Sequence, residues 1–103
     1  MEKNSRILAS ELSGKGENEK VVLKGWVRTV RDLGKLAFVH IVDRSGRFQL
    51  VSKDEKLLKK IKELHLEDAV EVRGRIHRDE KVVNGAEVVL EDLIVINKSE
   101  QPL

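Results

Sequence analysis

The chain has no cysteine, no tyrosine and a single proline, and its aromatic side chains are one tryptophan and two phenylalanines. Without cysteine there is no disulfide framework, no thiolate metal site and no thiol nucleophile. No apolar run approaches the roughly 20 residues of a membrane helix, and Met1-Glu2-Lys3-Asn4 opens no hydrophobic signal segment. A cytoplasmic protein is therefore the expectation, and Asn97-Lys98-Ser99 reads as a chance match to a glycosylation acceptor. His40, His65 and His77 stand at no metal-ligand spacing. Gly14-Lys15-Gly16 lacks both the spacing and the Lys-Ser/Thr ending of a phosphate-binding loop. Asp79 and Glu80, beside Arg78 and Lys81, read as a charged turn rather than an acid/base pair. Neither catalysis nor a cofactor is expected of this chain.

What remains is 103 residues, enough for one domain with a modest core. The composition is 40% hydrophobic, mostly Val, Leu and Ile, and 37% charged, with a net charge of only +2. So small an excess does not announce a polyanionic partner; the placement of the cations decides. Ser5 to Leu12 is expected to form a short helix through Ile7, Leu8 and Leu12, followed by a loop over 13–18, so residues 1–19 form a helix and loop preceding a domain at 20–103. Val21 to Val30 alternates as a strand, with Leu23, Gly25 and Val27 opposite Lys24, Trp26 and Arg28; a lone tryptophan is read as a packing residue. Arg31 to Lys35 is a turn. A second strand, Leu36 to Val42, sets Ala37, Val39 and Ile41 against Phe38, His40 and Val42; after Asp43-Arg44-Ser45-Gly46, a third, Arg47 to Val51, turns Phe48 and Leu50 inward.

Ser52-Lys53-Asp54-Glu55 fits a capping box with Ser52 as the cap. Leu57, Leu58, Ile61 and Leu64 follow at helical spacing, while the lysines at 56, 59, 60 and 62, diluted by Glu55, Glu63 and Glu67, read as a solvated face. Ala69 to His77 is a fourth strand, with Val70, Val72, Gly74 and Ile76 inward; Ala86 to Ile96, beyond Asn84-Gly85, is a fifth. Three strands, a helix and two strands is the order of an all-β OB fold, a five-stranded Greek-key barrel with a helix between strands three and four.

Such barrels bind single-stranded nucleic acid across strands two and three. By alternation the outward residues there are Phe38, His40, Arg47 and Gln49, with Gln49 expected across from Phe38. Arg28, Arg31 and Lys35 flank them on one side, and Arg73, Arg75, His77 and Arg78 on the other. An aromatic face stacks a base, an amide pairs with a base edge, and guanidinium groups meet phosphates. A register slip of one residue would instead bury Phe38, and the arginines alone would be ordinary solvated surface.

Val22-x-x-Gly25-Trp26-Val27, Arg31-Asp32-x-Gly34-Lys35, Phe38, Asp43-x-x-Gly46-x-x-Gln49 and Gly85-x-Glu87 together resemble the N-terminal anticodon-binding domain of class IIb aminoacyl-tRNA synthetases, the aspartyl, asparaginyl and lysyl enzymes. The segment from Leu93 to Leu103 resembles the join to their catalytic domain. The resemblance implies that Phe38 stacks on the middle anticodon uridine, Gln49 hydrogen-bonds it and Arg31 assists. It implies that Glu87 takes part in reading the third base, with Arg75, His77 or Arg78 near the first. The motifs are most similar to aspartyl enzymes of archaeal type, including forms that read both aspartate and asparagine tRNAs, although Asp43-Arg44-Ser45-Gly46-Arg47 with Gln49 also resembles lysyl enzymes. The class II ATP-binding motifs are absent from these residues, so the expected partner is a tRNA anticodon stem-loop, bound and not charged. Any oligomer would form through a catalytic domain. A sequence-tolerant single-strand binder and a protein-interaction scaffold are the other readings.

Overall fold

The computed structural model describes residues 6–98. The motif residues Ser99, Glu100, Pro102 and Leu103 lie outside them, as does Ser5. Five strands, β1 (Lys20–Asp32), β2 (Ala37–Asp43), β3 (Gly46–Ser52), β4 (Ala69–Arg78) and β5 (Ala86–Asn97), close into a barrel in the order β1-β2-β3-β5-β4. Of the contacts between these five strands, β3–β5 is the parallel one and the others are antiparallel. The helix α1 (Glu55–Lys62) lies between β3 and β4, the arrangement of an OB fold.

Alternation makes the core. Ala37, Val39 and Ile41 of β2, Phe48 and Leu50 of β3, and Val70, Val72 and Ile76 of β4 are buried, and α1 adds Leu57, Leu58 and Ile61. Leu64 packs against this core from just beyond the helix end. The N-terminal segment shares the same core through Ile7, Ala9 and Leu12.

β1 belongs to both halves of the barrel. Lys20 to Trp26 pair with β4, and Trp26 to Asp32 pair with β2. Where the strand changes partners the backbones press together: a Cβ on Gly25 would stand 2.5 Å from the Val42 carbonyl oxygen. Just beyond, the register shifts between Val27 and Thr29, so that Arg28 is the extra residue of a bulge. The bulge inverts the alternation. Val30 turns toward the core opposite Val39, and Arg31 moves to the outer face, paired with Phe38. Uninterrupted alternation from Val27 would have turned Arg31 inward.

Several local expectations are corrected. Arg31 and Asp32 are strand, and the turn begins at Leu33, with Gly34 at φ 92° and its amide donating to Asp32 Oδ1 at 2.9 Å. The N-terminal helix is a 3-10 segment over Ala9–Gly14, because Arg6 and Ile7 are extended against Val22. Its first amides find distant acceptors: Ala9 donates to Asp43 Oδ2 at 2.8 Å and Ser10 to Ser45 Oγ at 3.0 Å. Burial works against the Asp43 carboxylate, but hydrogen bonds from the Ser45 hydroxyl and the Ala9, Ser45 and Gly46 amides outweigh it and hold its pKa below the ordinary value.

The cap of α1 is Asp54, whose Oδ1 accepts from the Leu57 amide at 3.0 Å, because β3 continues through Ser52. Ser52 instead accepts from the Asp54 amide at 3.1 Å. Trp26 does not pack inside. It is 51% exposed on the outer face of β1, as its alternation with Gly25 and Val27 requires.

Candidate nucleic-acid interface

In antiparallel pairs, facing residues share a side of the sheet, so register assembles the outer face. His40 stands opposite Gln49, Phe38 opposite Val51 and Val42 opposite Arg47. Gln49 is thus across from His40 and diagonal to Phe38, two residues from the expected partner. With Arg31 brought alongside Phe38 by the β1 bulge, these side chains enclose a cleft of about 450 Å³ lined by Thr29, Arg31, Phe38, His40, Arg47, Gln49, Lys81, Val82 and Val83. The last three come from the β4–β5 connection, which Asn84 fixes by donating from Nδ2 to the Arg47 carbonyl at 2.7 Å. Lys81 was legible in sequence only as part of a charged turn, because no periodicity says where a connection folds back.

The partly buried Gln49 amide has a fixed orientation. Its Nε2 donates to Glu87 Oε1 at 2.8 Å, and its Oε1 lies 2.9 Å from His40 Nε2. An ionised carboxylate can only accept, so the NH₂ must face Glu87 and the carbonyl must face His40. His40 must then carry hydrogen on Nε2. One N–H and one acceptor lone pair of Gln49 remain for a ligand, a matched pair for a base edge.

Phe38 also borders a second cleft of about 600 Å³, which Lys53, His77, Glu87 and Val89 help to line. Its ring therefore stands between two recesses with side chains of both signs around it.

Other expected site residues are engaged elsewhere. Arg28, the bulge residue, lies 3.9 Å from Glu67. Arg75 donates to Glu91 at 2.8 Å and to the Asn18 carbonyl at 3.3 Å, and Arg73 pairs with Glu71 at 2.7 Å. Arg78 donates to the carbonyls of Ser13 and Lys15 at 3.1 and 2.6 Å, pinning the loop before β1. Lys35 lines a separate cleft against α1.

The same loop is clasped by Glu17, which accepts from the Arg78 amide at 2.7 Å and lies 3.0 Å from His77 Nδ1. The Arg78 amide and then His77 lower the Glu17 pKa from its ordinary 4.5, and the hydrogen bond to Glu17 raises that of His77 from its ordinary 6.5. The His77 contribution is complete below pH 6.5 and lost as pH rises through the higher folded-state value. The Glu17 contribution is complete above pH 4.5 and lost as pH falls through the lower one. The clasp is therefore strongest between these two ordinary values. In an NMR titration, His77 is expected to titrate above 6.5 and to return toward it in Glu17→Gln; the same pKa in both proteins would remove the pair.

Among the described residues, no group of three or more His, Cys, Asp or Glu could hold a metal ion. No helix there is long and apolar enough to cross a membrane.

Comparison with known proteins agrees with the barrel. The tRNA anticodon family, described as an OB-fold nucleic acid binding domain, matches residues 21–96. The aspartate–tRNA(Asp/Asn) ligase of Methanocaldococcus jannaschii is 35% identical over 92% of this chain and 23% of its own length. The corresponding ligase of Archaeoglobus fulgidus is 36% identical over 95% of this chain and 24% of its own. Among solved structures, the asparaginyl-tRNA synthetase of Pyrococcus horikoshii complexed with asparaginyl-adenylate superposes with a TM-score of 0.83 at 34% identity, over 92% of this chain and 23% of that one. The chain thus spans 21 to 24% of the length of such ligases. From Val21 to Ile96 it belongs to the tRNA anticodon family of OB-fold nucleic acid binding domains.

Proposed function

We propose that this domain binds the anticodon loop of tRNA for an aspartate ligase acting on aspartate and asparagine tRNAs, and that it holds the middle uridine. The carrying observation is the Gln49 amide, oriented by His40 and Glu87 beside the accessible ring of Phe38. Uracil presents an N–H flanked by carbonyl oxygens, so the N–H and lone pair left on Gln49 complement it while Phe38 stacks on its face. Arg31 and Arg47, which line the same cleft, supply charge for the adjoining phosphates. Glu87 retains a second oxygen that can accept from the amino group of a neighbouring cytosine. This role needs no cofactor in the domain, and its compartment is the cytoplasm.

The test is a titration with two anticodon stem-loops, identical except for uridine or cytidine at the middle position. Cytidine replaces the ring N–H by an acceptor and a carbonyl by an amino group. Because Glu87 restrains Gln49 from turning over, cytidine is expected to bind roughly five- to tenfold more weakly, about 1 kcal/mol. Equal affinities would overturn the reading and leave a sequence-tolerant binder.

A further inference from the structure

The lysines of α1 are all exposed, as a solvated face requires, but they turn toward different neighbours. Lys60 reaches across to β5, with Nζ 3.4 Å from Asp92 Oδ1 and 3.3 Å from the Leu93 carbonyl oxygen. Lys59 and Lys62 instead line a cleft of about 540 Å³ between α1 and the β1–β2 turn, together with Lys35 and Lys53; Glu55 is the acid that lines it. Among the described residues none of these four lysines is ion-paired, whereas Arg28, Arg73 and Arg75 each have a carboxylate partner. The cleft therefore sets four cations against one carboxylate.

The clefts are also neighbours. Phe38 borders both the reading cleft and the second recess, and Lys53 borders both that recess and the lysine cleft. A strand with one base on Phe38 can pass over the β3–α1 corner and meet Lys53 first. Ammonium groups on flexible stems act as point charges with rotatable donors, which suits contact with a backbone whatever its sequence.

We propose that the cleft formed by Lys35, Lys53, Lys59 and Lys62 holds backbone phosphates of the same RNA strand whose base stacks on Phe38. The proposal rests on the RNA-binding reading above and adds a second, sequence-independent contact to it. It assigns the lysines to affinity and the Phe38–Gln49 cleft to base choice.

Two charge-matched double variants test it: Lys59→Gln with Lys62→Gln, and Lys20→Gln with Lys56→Gln at exposed positions outside the cleft. Glutamine has nearly the helix propensity of lysine, so α1 is preserved, which far-ultraviolet circular dichroism verifies. Affinity for the uridine stem-loop is measured by fluorescence anisotropy across a salt series. Loss of two phosphate contacts is expected to reduce the slope of log K against log salt by about 1.4 for the cleft variant. Its affinity at low salt should fall several-fold and its preference for uridine over cytidine should stay unchanged, while the control keeps the parental slope. Equal slopes in the two variants, or a lost uridine preference in the cleft variant, would overturn the proposal. If the parent shows no uridine preference but the cleft variant still loses slope, the base reading fails and the phosphate site stands. A parent that does not bind the stem-loop at all refutes both. An acidic peptide that binds the cleft while RNA does not would assign it to a protein partner and end the proposal.

Discussion

Replacing Phe38 by alanine is expected to weaken binding of the uridine-bearing stem-loop by ~1–3 kcal/mol, roughly 5- to 150-fold, with little change in folding stability. The ring is only partly buried on the outer face of β2, while its neighbours Ala37 and Val39 are wholly buried. Truncation therefore removes a stacking surface and leaves the barrel interior intact. Stacking carries no charge, so the salt dependence should stay parental, in contrast to the lysine variants. Phe38→Leu, which keeps apolar bulk without an aromatic face, should lose most of the same affinity, and Phe38→Trp should keep it. Anisotropy titrations beside thermal melts decide the matter: parental affinity in Phe38→Ala would remove the stacking role, and a collapse of the melting temperature would make the ring a core residue.

The faces of β2, β3 and β4 were readable because period-two alternation of Val, Leu, Ile and Phe leaves one register that buries all of them. That register is enough to place Phe38 outside and Phe48 inside. It does not reveal the bulge at Arg28, which arises because β1 must pair with β4 and then with β2 along a single strand. Arg31 consequently read as a turn residue near the site, although the fold sets it directly against Phe38. The oriented amide was half visible. His40 and Gln49 are both outward, but their pairing needs the hairpin register, and Glu87 arrives from β5 only once the barrel closes. The partners of Arg75 and Arg78 were not legible, because Glu91 and the loop carbonyls that engage them are remote along the chain or carry no side-chain signal. The split among the helix lysines depends likewise on how α1 sits against the β1–β2 turn. Composition gave their charge and no more.

The other phenylalanine should behave in the opposite way. Phe48 is 0% exposed, stands opposite Ile41 in the β2–β3 ladder, and heads the fully buried side chains by size. Phe48→Ala is expected to cost about 3–5 kcal/mol, the lost transfer of the ring plus the cavity it leaves. The cavity cannot collapse readily, because Ile41 and Leu50 beside it are held by ladder pairs on closed strands, and a closed barrel has no free edge that can move in. A domain of this size has only about 5–15 kcal/mol of total stability, so the variant should lie close to its unfolding midpoint at room temperature or melt far below the parent. Urea denaturation gives the measurement: a sharply lowered midpoint with an unchanged slope is the expected result. A variant that unfolds at the parental midpoint would mean that Phe48 does not fill the barrel, and the inside–outside assignment that separates it from Phe38 would fall with it. Phe48→Leu supplies the graded control, since it keeps most of the buried volume and should fall between the two.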